Sequence, residues 1–265
     1  MCDINDKYKI KVPFDKVYVL SLPSFKSRYK FMEYQLNDLG IPFEFMWGVD
    51  LGNINKDSLD YEIKYPQAFE EEQICTGKDF SCSLNHYSAV YQAYEFGLNS
   101  ILILEDDVCF LKNKDFIERS LNNIPKDADF VTWDPRCVNE NDIILLSNNL
   151  KKCKTLYIKN NRYNMLFGGM MYALMNRKTM KLYLDNQRKQ FFLSDHVQGL
   201  FMNVTVNKYI STKCLCTDHI NMETNFNIYK YYKKLPEYIC RYGKQNINKF
   251  YIPKGISRSK RMIVY

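Results

Sequence analysis

Residues 101–110 read ILILEDDVCF, an unbroken apolar run that ends on three adjacent carboxylates, Glu105, Asp106 and Asp107. The run suits a buried strand. Ionised carboxylates packed at its end repel one another and lose hydration, a cost that a cation or hydrogen bonds must offset. In an extended chain successive side chains alternate, so Glu105 and Asp107 are expected on one side and Asp106 on the other. Two converging carboxylates invite a divalent ion. Oxygen-only ligation suits Mg²⁺ or Mn²⁺, which keep several waters and bind substrate phosphates, so the implied ligand is a diphosphate. The alternative is that the acids cap the next helix or turn.

The segments around this run set its context. KVYVLSL (16–22) is a β-rich stretch halted by Pro23, followed by a helical pattern through Phe31, Tyr34, Gln35 and Leu39 to Gly40. IPFEFMWGVD (41–50) predicts a second strand with a turn at Gly48, and residues 50–73 are polar and irregular. SCSLNHYSAVYQAYEFGL (81–98) carries Leu84, Tyr87, Val90, Tyr91, Tyr94 and Leu98 at amphipathic-helix spacing. After ILILEDDV come a helical FIERSLNNI, a strand in DADFVTWDP (127–135), a glycine-marked apolar stretch MLFGGMMYALM (165–175), helix-like KTMKLYLDNQ and VQGLFMN, and between these two the dipeptide Asp195-His196. This βαβ rhythm predicts an α/β fold. In open α/β sheets ligands bind beyond the carboxyl ends of strands, where Glu105 to Asp107 and Trp133 to Asp134 fall.

The composition is globular, with 265 residues and 46% hydrophobic content. No stretch approaches the roughly 18 to 20 apolar residues of a membrane span, and MCDINDKYKIKVPFDK lacks the apolar run of a signal peptide, so a cytoplasmic setting is expected. Nine cysteines, an odd count without framework spacing, predict reduced thiols. The net charge of +7 is uneven: residues 229–265 hold ten Lys or Arg against Glu237 alone, a segment of +9 that leaves the remainder at −2. We therefore divide the chain into residues 1–228 and a basic, Tyr-rich segment 229–265. That segment suits peripheral contact with an anionic membrane surface, or else is a solvated terminus. Nucleic acid is the weaker reading, because no recognised nucleic-acid motif accompanies the basic residues.

Three stretches, VYVLSLPSFKSR, GKDFSCSLNHYSAVYQAYEFGLNSILILEDDV and FGGMMYALMNRKTMKLYL, together resemble glycosyltransferase family 25 over roughly residues 15 to 200. That family includes bacterial lipopolysaccharide galactosyltransferases and collagen hydroxylysine galactosyltransferases. The resemblance implies a GT-A-like, Rossmann-like fold with a central, mostly parallel sheet, a UDP-sugar donor, a divalent metal (Mn²⁺ or Mg²⁺) and inversion at the anomeric carbon. It implies a glycan, glycolipid or protein acceptor. Carried over by position, Asp107 is the first metal ligand, with Glu105 as its same-side neighbour and Asp106 in the same motif. Ser21, Leu22 and Arg28 resemble the nucleotide-facing segment, and Asp50 occupies the family's Gly-Val-Asp position. Two residues depart from the family's frequent pattern: Ser81 replaces Gly before the cysteine and Asn85 replaces Ser before the histidine.

The remaining polar residues are weighed singly. Lys78, after Gly77, could meet the diphosphate or be solvated. His86 shares its helix with the apolar stripe and sits at the family's motif position, which suits a hydrogen-bonded role beneath the site. Asp195 is the candidate general base on the acceptor hydroxyl, with Asp134 next. His219 or Asp218 could complete the metal shell. Cys214-x-Cys216 with His219 offers three zinc ligands but no evident fourth. Gly169, beside Gly168, admits close approach of a donor sugar or makes a tight turn. The transferase reading competes with a non-catalytic glycan- or nucleotide-binding module, against which the EDD run speaks.

Overall fold

The computed structural model describes residues 10–50, 77–110, 114–133, 157–159, 171–189, 206–211 and 215–218. In chain order its elements are β1 (Lys16–Ser21), α1 (Lys26–Leu39), β2 (Glu44–Trp47), α2 (Gly77–Glu95), β3 (Ile101–Glu105), β4 (Val108–Phe110), α3 (Lys114–Asn122), β5 (Phe130–Thr132), β6 (Tyr157–Lys159), β7 (Met171–Leu174), α4 (Arg177–Lys189), β8 (Lys208–Ser211) and β9 (Cys216–Asp218).

The apolar run behaves as its composition demands. Ile101 and Ile103 enter one core while Leu102 and Leu104 enter another, and all four are fully buried. β1 divides in the same way, with Val17 and Val19 on one side and Tyr18 and Leu20 on the other. A strand covered on both faces needs apolar residues at every position, which is why ILIL shows no polar alternation. Met32, Leu36 and Leu39 of α1 and Ile117 and Leu121 of α3 complete the first core. Ala89, Val90 and Ala93 of α2 and Met180, Tyr183 and Leu184 of α4 complete the second. The result is a three-layer α/β/α arrangement.

The central sheet has seven strands in the order β2-β1-β3-β7-β5-β8-β6. β1 runs parallel to β2 and β3, β5 runs parallel to β8, and β7 and β6 oppose their neighbours. Five of the seven strands therefore share one direction, the mixed, mostly parallel sheet expected of a Rossmann-like, GT-A-like fold. The carboxyl ends of β1, β2, β3 and β5 lie along one edge. A separate two-stranded sheet pairs β4 with β9.

Local signals account for several boundaries. Gly40 ends α1 with φ 68°, its N–H donating to the Asn37 carbonyl, while the Ile41 N–H donates to Leu36 O at 2.9 Å. That left-handed turn strains any residue with a Cβ, so the glycine is a stop signal with a mechanism. The irregular reading of 50–73, the helix-like VQGLFMN and the basic segment 229–265 fall mainly or wholly outside the described residues. Among the described residues no helix is long and apolar enough to cross a membrane.

Candidate active site

The acids sit where β3 leaves the sheet, and each finds a different partner. Strand β1 runs beside β3 with Leu20 opposite Glu105, so the next residues, Ser21 and Asp106, meet just beyond that pairing. Ser21 Oγ donates to Asp106 Oδ2 at 2.6 Å. Arg28, in the first turn of α1, places Nη2 2.7 Å from Asp106 Oδ1 and 2.6 Å from Asp107 Oδ2. The expected alternation holds for Glu105 and Asp106 but fails at Asp107. β3 ends at Glu105 and the chain turns through Asp106 and Asp107, so the turn aims both aspartates at one guanidinium on the α1 side.

One guanidinium thus serves two carboxylates at once. Burial pushes the Asp106 carboxyl above its ordinary range, and this outweighs the Arg28 charge and the Ser21 hydrogen bond, which pull it down. Asp106 is the anchor of the turn, its side chain 7% exposed against 24% for Asp107 and 18% for Glu105. The two more open acids are the ones able to present oxygen to a ligand. Arg28, from the segment expected to face a nucleotide, bridges the two aspartates of the acidic turn.

Glu105 turns toward the α2 layer. Its Oε1 lies 3.1 Å from His86 Nε2, and His86 Nδ1 lies 3.0 Å from the Tyr172 hydroxyl. His86 is fully buried, among the sheet-facing residues of α2. Tyr172 of β7 pairs opposite Ile103 of β3, which explains how an aromatic residue distant in sequence reaches the histidine. Burial raises the Tyr172 phenol well above its ordinary value and Tyr183 adds to the shift, so this hydroxyl stays protonated. Cys82, one turn before His86 on α2, brings its sulfur within 4.8 Å of the His86 and Glu105 ligand atoms.

The strand end at β2 joins the same edge. The Gly48 N–H donates to Ser21 O at 2.9 Å, and the Ser81 hydroxyl donates to Val49 O. Asn85 packs so tightly against the turn that a Cβ on Gly48 would lie 2.8 Å from its Nδ2 and 3.2 Å from Leu22 Cδ2. Ser21 thus touches Asp106, Leu22 lies against Gly48, and exposed Asp50 follows two residues after that turn. Lys78 lies in the first turn of α2, and its side chain is outside what is described. Gln35 of α1 holds the departing chain: its Nε2 donates to Val108 O and its Oε1 accepts from the Phe110 N–H, each at 2.9 Å. Pairing of β4 with β9 then sets Asp218 opposite Val108, one residue beyond Asp107. His219, Asp195, Asp134 and Gly169 lie outside the described residues. Trp133, the residue before Asp134, is buried just past the end of β5.

Sequence reasoning missed Tyr172, Cys82 and Gln35. Cys82 could have been found, because it stands four residues before His86 and so shares its helix face. Tyr172 and Gln35 carry no local signal, since their partners lie 86 and 73 residues away.

A Rossmann-like α/β sheet with carboxylates on loops at the carboxyl edge of its parallel strands is an architecture built for binding at that edge. A family-wide profile described as "Glycosyltransferase family 25 (LPS biosynthesis protein)" matches residues 14–237. The chain belongs to glycosyltransferase family 25. It is similar to a Drosophila pseudoobscura pseudoobscura protein named "Glycosyltransferase 25 family member", with 26% identity over 111 residues, 40% of this chain and 18% of the relative. It is also similar to a Homo sapiens protein named "Inactive glycosyltransferase 25 family member 3", with 28% identity over 130 residues, 47% of this chain and 21% of the relative. These matches span about a fifth of the length of either relative.

Proposed function

We propose that this chain transfers a hexose, galactose first among the candidates, from a UDP-sugar to a hydroxyl of a glycan or glycolipid acceptor of the lipopolysaccharide type. The observation that carries the reading is the acidic turn: Asp107 and Glu105 remain partly open beside Ser21 at the carboxyl edge of β1 and β3, while Arg28 and Ser21 hold buried Asp106. Oxygen donors of this kind fit a hard divalent ion such as Mn²⁺ or Mg²⁺. Asp107 would hold it first, joined by Glu105 on turning away from His86 and by Asp218, the last residue of β9, or His219. When bound, the ion supplies positive charge against the diphosphate leaving group.

The chain's own residues do the rest in this reading. Ser21, Leu22 and Asp50 border the nucleoside, and Lys78 is the candidate diphosphate contact. Arg28 pairs with both Asp106 and Asp107 and so fixes the conformation of the turn. Asp195, with Asp134 second, removes the acceptor proton as the hydroxyl attacks the anomeric carbon from the side opposite the departing UDP. Gly169 allows close approach of the sugar. Peripheral attachment through residues 229–265 would bring the chain to a lipid-linked acceptor.

A binding module without transfer is the second reading, favoured by the word "inactive" in the name of the human relative. UDP release from a panel of UDP-sugars, with and without Mn²⁺ and with saccharide acceptors, separates the two. Metal-dependent turnover of one donor that disappears in Asp107→Ala is expected. Turnover undiminished in that variant would overturn the site, and metal-dependent UDP binding without turnover on any acceptor would favour the module.

A further inference from the structure

Cys82, His86 and Glu105 form a cluster whose chemistry differs from that of the acidic turn. One sulfur, one imidazole nitrogen and one carboxylate oxygen lie within 4.8 Å of one another, contributed by two positions one helical turn apart on α2 and by the last residue of β3. Thiolate and imidazole are soft and borderline donors, a set suited to Zn²⁺ and poorly suited to Mg²⁺ or Mn²⁺. We propose that these three residues form a thiolate-containing site for a zinc-class ion, separate from the all-oxygen seat at Asp107 and sharing only Glu105 with it.

The surroundings of His86 are those of a metal ligand. A ligating histidine usually has its second ring nitrogen held by a hydrogen-bond partner that fixes tautomer and ring orientation. Here Tyr172 holds Nδ1 at 3.0 Å, and the two rings are stacked within 14° of parallel. A tyrosine hydroxyl both donates and accepts. Without an ion, Nε2–H donates to Glu105 and Nδ1 accepts from Tyr172; with an ion on Nε2, Nδ1–H donates to the same hydroxyl. The change of tautomer leaves neither ring nitrogen without a partner. His86 is fully buried whereas Cys82 and Glu105 are partly open to solvent, the side from which an ion, with water as a fourth ligand, would approach. Occupation would also withdraw Glu105 from the acidic turn. That last consequence rests on the transferase reading, but the binding itself does not.

Co²⁺, whose complexes with thiolate absorb strongly in the near ultraviolet, tests the site directly on the full chain, reduced and stripped with chelator. One equivalent should produce a thiolate-to-cobalt band that Zn²⁺ displaces. Cys82→Ser, and independently Cys82→Ala, should abolish the band with far-ultraviolet circular dichroism unchanged. Tyr172→Phe should keep it while weakening affinity about 10- to 100-fold. The band should survive in Asp107→Ala, so failure of the donor-site reading leaves this result intact, and in Cys214→Ser/Cys216→Ser, which removes the Cys-x-Cys pair near His219. Absence of a thiolate band in the wild type, or a band indifferent to both Cys82 substitutions, overturns the proposal.

Discussion

Asp106 and Glu105 are adjacent in the chain yet belong to opposite layers. On the α1 side Asp106 is held by a full positive charge and a hydroxyl, Arg28 and Ser21. On the α2 side Glu105 meets an imidazole backed by a protonated phenol, His86 and Tyr172. The first arrangement is an electrostatic clamp, since the guanidinium cannot give up its charge. The second is a chain of groups that can exchange proton positions. Mutations should therefore expose the α1 layer as the one that carries stability, and the α2 layer as the one that carries adjustable chemistry.

The largest expected effect is at the clamp. Arg28→Ala leaves two carboxylates facing each other with Asp106 buried, and should cost about 3 kcal/mol, read as a lower urea midpoint. A loss well under 1 kcal/mol would show that solvent replaces Arg28 and that the two layers do not differ. Next is Gln35→Leu, which keeps the bulk but strands Val108 O and the Phe110 N–H. A loss of about 2 kcal/mol is expected from these orphaned backbone groups, with hydrogen exchange at Phe110 rising before global unfolding. A smaller effect lies where the β2 turn meets α2. Gly48→Ala drives a methyl into Asn85 and should cost about 1 kcal/mol; adding Asn85→Ser, which shortens the obstructing side chain, should recover most of it. If the double variant were no more stable than the single one, the contact with Asn85 would not be the cause.

The smallest effect is a pH slope. Burial sets the Asp106 carboxyl above its unfolded value, so the folded chain binds more protons than the unfolded chain between the two values. Stability contributed by this group is then greatest at low pH and declines as pH rises through that window, opposite to an ordinary paired aspartate. Asp106→Asn keeps an oxygen for Ser21 and removes the titration, so its stability should fall less over that interval than the wild type's. An identical slope in both proteins would mean that Asp106 keeps an ordinary carboxyl.

Local chemistry made much of the fold legible. ILIL is a β-rich run with no polar position and KVYVLS has polar residues only at its two ends and at Tyr18, Gly40 stops α1 in a conformation few other residues tolerate, and the apolar stripe that begins at Ser81 is helical as far as Glu95. Those features need only neighbours along the chain. β4 and β9 are three residues each and hold their place through pairing and through Gln35, so no sequence window could mark them. The insertion of antiparallel β7 between β3 and β5 is likewise a property of the assembled sheet.

The site divides in the same way. Residues Glu105, Asp106 and Asp107, their acidity and their place at a strand end could be read from ILILEDD, because burial of an apolar run and the cost of ionised carboxylates are local facts. Their partners could not. Strand alternation correctly separates Glu105 from Asp106, but the strand stops at Glu105, and the direction of Asp107 depends on a guanidinium 79 positions away in the chain. The same holds for the cluster of Cys82, His86 and Glu105, where a helix face and a strand end meet only after α2 packs on the sheet. Side-chain type is written residue by residue, whereas charge pairing and ligand geometry act through space, and only the folded chain brings those groups within reach.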